Sequence, residues 1–261
     1  MPALPRLVTR HRRQIVGTAA VLLFLATWQI VGGLSLISAD LISYPTQVVA
    51  IGAAMAASGE LGSNALVTLV EFVYGFLPAV LIGIVLGLIL GQVRWLRLLL
   101  DPLLMALYTA PRVALIPLLV VWFGVGSQSK VVVVLLSAVF PVIINTMAGV
   151  QQIDPLWVRA VQAFGGSRLQ IVSKVVVPGS LPAIMAGIRL GLGRGVIGLI
   201  IGEMYVAVAG IGHVMQAYSA AGRSAELLFL LVFTATFGFL CVSGLRRVEE
   251  WLGPWRRELA D

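Results

Sequence analysis

Several ionisable residues stand in segments that are otherwise strongly apolar, and three of them could bind an ion or a charged solute. These three are Arg112, Arg194 and Glu203, and Met204 follows the glutamate directly. Charged groups in apolar surroundings are costly and usually functional, so paired arginines favour an anionic ligand. The alternative is that each arginine ties helices together through a glutamate or a backbone carbonyl. The sequence leaves both roles open.

No pattern for catalysis or metal binding accompanies these residues. Cys241 is the single cysteine, and the two histidines, His11 and His213, lie far apart in the chain. The chain contains no His-Glu-x-x-His, no Gly-x-Ser-x-Gly elbow and no Gly-x-x-x-x-Gly-Lys-Ser/Thr phosphate loop. We therefore expect that the chain is not an enzyme, binds no metal and does not hydrolyse ATP by itself.

The composition identifies the elements that must position these residues. Of 261 residues, 59% are hydrophobic and 11% are charged, whereas soluble domains carry about 25% charged residues. A membrane-spanning helix needs roughly 20 apolar residues. Runs of this kind cover residues 14–34, 65–91, 102–124, 130–150, 181–208 and 227–245. They predict an all-α integral membrane protein, residues 1–261 forming one domain with about six transmembrane helices.

Two N-terminal segments have their own interpretations. The first apolar run follows a basic N-terminus, as in a signal peptide, but it exceeds the ~7–15 residues of a signal core. We interpret it as a retained first helix. Residues 41–58 are too weakly apolar to span, and they predict a short helix along the outer surface.

The basic residues predict the orientation. With a cytoplasmic N-terminus, thirteen arginines and lysines fall inside and two, Lys130 and Arg223, fall outside. The thirteen are Arg6, Arg10, Arg12, Arg13, Arg94, Arg97, Arg159, Arg168, Lys174, Arg246, Arg247, Arg256 and Arg257. This bias predicts that both termini are cytoplasmic. It also explains the net charge of +7 without a nucleic-acid partner.

Small residues and prolines predict how the helices pack. Gly83, Gly87 and Gly91 are spaced by four, as are Gly187, Gly191 and Gly195, which places each set on one helix face for close packing. Prolines crowd the third run, and we expect that helix to break or bend near Pro111-Arg112. Such a helix could line a pathway or simply pack with a kink.

Residues 151–180 form the longest segment between predicted spans. Pro155 starts a helix whose apolar face carries Trp157, Ala160, Val161 and Phe164. Gly165-Gly166 ends this helix, Ser167 caps a second one, and Pro178 is expected to stop the second. The result is a cytoplasmic helix-turn-helix that suits insertion into a groove on a partner protein.

This segment resembles the EAA loop of ABC importer permeases. The family pattern is Glu-Ala-Ala, three residues, Gly, nine residues, then Ile-x-Leu-Pro. On this chain it falls on Arg159, Ala160, Val161, Gly165, Val175, Val177 and Pro178. Ala160, Gly165 and Pro178 match outright. Arg159 departs from the family's usual Glu and puts in doubt any salt bridge that the Glu would make with the ATPase.

The resemblance extends over nearly the whole chain and favours the nitrate, sulfonate, taurine and bicarbonate branch. Segments similar to that branch are Ser43-Tyr44-Pro45-Thr46, Gly75-Phe76, Ala114-Leu115-Ile116-Pro117-Leu118, Trp122-Phe123-Gly124, Phe140-Pro141, Gly149-Val150, Gly187-Ile188-Arg189 and Gly202-Glu203-Met204.

The resemblance implies a type I ABC importer in a bacterial cytoplasmic (inner) membrane. A separate ATP-binding subunit would use ATP and Mg, and this chain would bind no cofactor. A periplasmic or lipid-anchored binding protein would deliver a small anion, and a second permease copy or a relative would complete the pathway. Arg112, Arg194, Glu203 and Met204 are the residues that we predict for this pathway.

Two other functions remain as alternatives. A secondary transporter or channel would need no ATPase and would often show repeated halves, which we do not find. An ABC permease of another substrate branch is opposed only by the scattered similarities above.

Overall fold

The computed structural model describes residues 6–34 and 43–252, with side chains for residues 15–34 and 43–249. Within these ranges the secondary structure is helical and contains no strand, as predicted. The helices are α1 (Arg6–Gly33), α2 (Pro45–Ala57), α3 (Glu60–Gln92), α4 (Arg94–Thr109), α5 (Ile116–Phe123), α6 (Ser127–Gln151), α7 (Pro155–Ala163), α8 (Arg168–Ile171), α9 (Val177–Val206), α10 (Ile211–Ala220) and α11 (Ser224–Leu252). The charges predicted inside at residues 6–13 and 256–257 lie outside the described side chains.

Five described helices are long and apolar enough to cross a membrane. A sixth span results if α4 and the 3₁₀ turn Arg112–Leu115 with α5 count as one, although they are bent by 87° at a short break. The predicted break near Pro111 is therefore confirmed. Helix α4 begins at Arg94, before the predicted start at residue 102, because arginines lower hydropathy without disfavouring a helix.

Other prolines do not break their helices. Pro78, Pro102 and Pro141 lie inside α3, α4 and α6. Side chains can take up backbone groups that a proline leaves unpaired. The carbonyl that Pro141 leaves without its helical donor is that of Ser137, four residues earlier. The Asn145 side-chain amide donates to the carbonyl of Pro141 itself over 2.8 Å.

The described chain divides into two compact units. The first contains residues up to Gly62 together with Met215–Phe233. Here α1 is joined to the start of α2, because the Trp28 indole donates to the Ser43 carbonyl over 2.8 Å and the Gln29 amide bonds Thr46. The segment predicted to form a short helix is α2, which Pro45 begins.

The second unit contains Ser63–Val214 and Thr234–Asp261 and is built around α6. Both predicted glycine faces pack on this helix. A Cβ atom on Gly87 would lie 2.5 Å from the Thr146 Cβ, and one on Gly191 would lie 2.9 Å from the Ala138 carbonyl oxygen. No side chain fits at these distances, so glycine spacing sets how closely α3 and α9 approach α6.

Candidate functional site

A double-capped turn shapes the segment that resembles the EAA loop. Asp154 accepts a hydrogen bond from the Leu156 backbone N–H over 2.8 Å and caps α7. At the other end, the Gly165 N–H donates to Gln162 and the Gly166 N–H donates to Val161, both over 2.9 Å. This is the Schellman pattern, and Gly165 takes the φ of +76° that it requires. The glycines therefore fix the end of α7 as predicted.

The second half of the turn is capped equally well. The Ser167 hydroxyl accepts from the Gln170 N–H, and the Gln170 side chain accepts from the Ser167 N–H over 2.7 Å. This reciprocal pair is a capping box, and it starts α8. The two caps leave the chain between α7 and α8 little conformational freedom.

The prediction that Pro178 stops the second helix is wrong. The chain runs helically from Arg168 to Val206, with a π turn at Val172–Val176 just before the proline. A π turn widens the helix locally and can accommodate groups that an α-helix excludes. The Ser180 hydroxyl also bonds the Val176 carbonyl over 2.7 Å. Pro178 is half-buried, as are Val175 and Val177.

The apolar residues Trp157, Ala160, Val161 and Phe164 follow helical spacing, as predicted, but only Val161 is partly buried. Val161 packs inward against a small core of Val150, Ile171 and Val176. Trp157 and Phe164 point outward and are 66% and 93% exposed. Leu156, Arg159 and Ala160 are also exposed. Val161 holds α7 against this core. We call the surface formed by the exposed residues the α7 outer face; it consists of Leu156, Trp157, Arg159, Ala160 and Phe164.

A second cluster joins the two arginines predicted for a pathway. Arg112 donates from Nε to the Leu136 carbonyl over 3.2 Å and from Nη2 to the Tyr108 carbonyl over 2.8 Å. Arg194 donates from Nη2 to the Tyr108 hydroxyl over 2.8 Å, and its guanidinium lies 4.3 Å from the centre of that ring. Both arginines are partly buried. Tyr108, which the sequence analysis did not single out, connects them.

Glu203 is fully buried and holds three chain segments together. Its carboxylate accepts from the Thr68 hydroxyl and from the Gly212 N–H, each over 2.7 Å. The Thr68 oxygen accepts from the Ile211 N–H over 2.9 Å, and Asn64 accepts from the Gly210 N–H over 2.8 Å. The carboxylate thus satisfies the N-terminus of α10. Met204 beside it is half-buried.

Two of these partners could have been found in the sequence. Asn64 and Thr68 are polar, lie one helical turn apart in α3, and therefore share a face. A polar pair on one face of an apolar helix indicates a buried partner.

Lys130 does not behave as an outer loop charge, as the topology count had it. It is 3% exposed and forms an ion pair with Glu71 over 2.5 Å, and Glu71 is also 3% exposed. If Lys130 is left out of the count, Arg223 alone remains on the predicted outside, against thirteen basic residues inside. The charge bias that predicts the orientation is then stronger.

Comparison with known proteins identifies the family. Residues 79–258 match the model of the "binding-protein-dependent transport system inner membrane component" family. The chain belongs to this family. Its members are multi-pass integral membrane permeases, the membrane components of ABC importers.

Curated relatives agree with this assignment over most of the chain. The taurine transport system permease protein of Escherichia coli (strain K12) is 33% identical over 249 residues, which cover 94% of this chain and 90% of the relative. The nitrate import permease protein of Synechococcus elongatus is 28% identical, covering 88% of this chain and 85% of the relative.

Solved structures show the same fold. A chain of the MetNI methionine ABC transporter, in inward facing conformations, superimposes with a TM-score of 0.60 at 19% identity. The match covers 75% of this chain and 95% of the other. The predicted type I importer fold is therefore confirmed.

Proposed function

We propose that this permease works in an ATP-driven importer for a small anion. A separate ATP-binding subunit docks on the α7 outer face and hydrolyses ATP with Mg. A solute-binding protein delivers the anion, and a second permease copy or a relative completes the pathway. The chain itself binds no cofactor. The observation that carries this proposal is the rigidly capped turn that exposes Trp157 and Phe164.

The α7 outer face has the properties of a docking surface. Large aromatic side chains that are exposed in a single chain are enriched among the residues that dominate binding energy at interfaces. The caps around residues 154–170 order the turn in advance, so docking costs little conformational entropy. Arg159 stands where the family pattern has Glu, so we expect its contact with the partner to be an acidic group.

The charge pattern supports docking on the cytoplasmic side of the membrane. The predicted inside segments include the α7 turn with Arg159, Arg168 and Lys174. We therefore place this turn and both termini on the cytoplasmic side of a bacterial inner membrane, where ATP is available.

The relatives support an anionic solute. One is named for taurine, which carries a sulfonate group, and another for nitrate. Arg112 and Arg194 supply positive charge in membrane-spanning segments, and a pathway that attracts anions needs such charge. In the proposed pathway these arginines face the solute, and Glu203 and Met204 shape its outer end.

Co-purification tests the proposed partnership. The tagged full-length chain is expressed with candidate ATP-binding subunits, as wild type and with Gly165→Asp and Gly166→Asp combined. A Cβ atom on Gly166 would lie 2.8 Å from the Val161 carbonyl oxygen, so the Schellman turn cannot form. We expect the wild type to retain an ATP-binding subunit and the double variant to lose it.

Gly179→Ala is the matched control for this experiment. At Gly179 a Cβ atom would meet Ile153 at 3.4 Å and 3.6 Å, which is ordinary contact. This variant should retain the subunit. Wild-type chain that never retains an ATP-binding subunit, or a double variant that retains it fully, would contradict the proposal.

A further inference from the structure

The geometry points to an oxyanion-binding site formed by Arg112, Tyr108 and Arg194. Its ligand is a small group with one negative charge shared over several oxygens, such as a sulfonate or nitrate. Two guanidinium groups and one phenolic hydroxyl hold it. The inference rests on the proposed function for its solute class, and it adds the atoms that bind the solute.

The two arginines lack a counter-charge among the described residues. The acceptors of Arg112 are neutral carbonyls, and the acceptor of Arg194 is a neutral hydroxyl. In the described part of the chain, arginine forms ion pairs only at Arg189, with Glu249, and at Arg223, with Glu226. Uncompensated positive charge within a span is unfavourable. An anion bound between the two arginines would compensate it.

Most hydrogen-bond donors of the cluster remain available to a ligand. A guanidinium group has five N–H donors, and the described bonds use two in Arg112 and one in Arg194. The Tyr108 oxygen accepts from Arg194, which leaves its own O–H to donate. Planar guanidinium groups bind two oxygens of one anion at once, which suits a nitrate or a sulfonate.

Tyr108 is the positioning residue of this site. Its carbonyl fixes Arg112, its hydroxyl fixes Arg194, and its ring lies 4.3 Å from Arg194 and 5.8 Å from Arg112. The negative face of an aromatic ring attracts cations and offsets part of the repulsion between them. The Phe140 ring lies 5.8 Å from Arg112 as well. Two like charges can therefore stay close together without a ligand.

The residues that directly follow Arg112 in the chain line a cavity. Arg112 follows the 87° bend and is next to Val113 and Ala114, which line a cavity of about 670 Å³ with Pro117 and Tyr205. The Val113 side chain is 44% exposed. A cysteine at Val113 therefore reports the electrostatic potential beside Arg112 without removing a polar group.

Charge-selective labelling tests the site in the full-length chain, reconstituted in lipid vesicles. The background carries Cys241→Ala and Val113→Cys. We compare the anionic sulfonatoethyl methanethiosulfonate with its cationic trimethylammonium analogue, each relative to a free thiol. The background should favour the anionic reagent, and Arg194→Gln should lower this preference by about threefold or more, because it removes one nearby charge. Methanesulfonate or nitrate at constant ionic strength should slow the labelling.

Three further variants distinguish a specific anion-binding site from a general excess of positive charge. Tyr108→Phe should keep the reagent preference and lose most of the protection by methanesulfonate, because the hydroxyl is missing. Arg194→Lys should do the same, because an ammonium cannot bind two oxygens in a fork. Arg94→Gln removes an exposed charge at the start of α4 and should change neither readout.

The inference is overturned if Arg194→Gln affects the preference no more than Arg94→Gln does. It is also overturned if methanesulfonate protects the Tyr108→Phe and Arg194→Gln chains as well as it protects the background chain. Labelling requires no ATP-binding subunit, so the two proposals fail separately. A chain that keeps the anion effects and never retains an ATP-binding subunit would keep this site and lose the proposed function.

Discussion

Replacing Trp157 and Phe164 together by alanine is expected to abolish stable binding of the ATP-binding subunit and to leave the permease folded. These side chains are 66% and 93% exposed, so the isolated chain loses little packing when they are truncated. At an interface, aromatic anchors contribute about 2 kcal/mol or more each, and every 1.4 kcal/mol is tenfold in affinity. We therefore expect the affinity to fall by roughly two to three orders of magnitude.

The measurement is the affinity between the two purified subunits, together with the thermal stability of the permease alone. Trp95→Ala is the control, because Trp95 is 68% exposed and lies outside the α7 turn, at the start of α4. It should leave the affinity unchanged. If the double variant binds as tightly as wild type, the α7 outer face is not the docking surface.

Replacing Glu203 by alanine is expected to lower the free energy of unfolding by several kcal/mol. Glu203 is fully buried, and its carboxylate accepts from the Thr68 hydroxyl and the Gly212 N–H. A buried donor left without an acceptor costs about 1–3 kcal/mol, and this variant leaves two donors unpaired. The loss of unfolding free energy is measured by titrating a denaturing detergent into the purified chain in mild-detergent micelles.

Two glycine variants test whether the Glu203 carboxylate leaves room for a side chain at Gly210. Gly210 and Gly222 both have positive φ, so alanine strains the backbone at each. The φ of +69° at Gly222 lies in the left-handed region that alanine can enter at a cost, whereas the φ of +116° at Gly210 is essentially open to glycine alone. A Cβ atom at Gly210 would collide with the Glu203 carboxylate, whereas one at Gly222 would meet open space. Gly210→Ala should therefore destabilise the chain more than Gly222→Ala. Equal losses, or a Glu203→Ala chain as stable as wild type, would contradict a structural role for the carboxylate.

Features that depend on local pattern were predicted well from the sequence. The spacing of Gly83, Gly87 and Gly91 identified a helix face for close packing, and the structure confirms this packing against α6. The break at Pro111 followed from the density of prolines. The end of α7 followed from Gly165-Gly166, because a positive φ and a Schellman turn are encoded by neighbouring residues.

Features that depend on distant partners were not predictable in this way. Lys130 looked like an outer loop charge because its partner, Glu71, lies on another helix. Tyr108 gave no signal by itself, since its role depends on two arginines from separate segments. Pro178 looked like a helix stop because the π turn before it has no sequence rule. The inward position of Val161 likewise depends on Ile171 and Val176, which fold back beneath it.

ATP hydrolysis by the reconstituted complex tests the central claim most directly. The chain is placed in vesicles with its ATP-binding subunit and binding protein, as wild type, Gly166→Val and Gly179→Ala. The account predicts equal hydrolysis, stimulated by the loaded binding protein, for wild type and Gly179→Ala, and loss of that stimulation in Gly166→Val. Solute uptake by the wild-type chain alone, at a rate independent of ATP, would contradict the account and favour a secondary transporter.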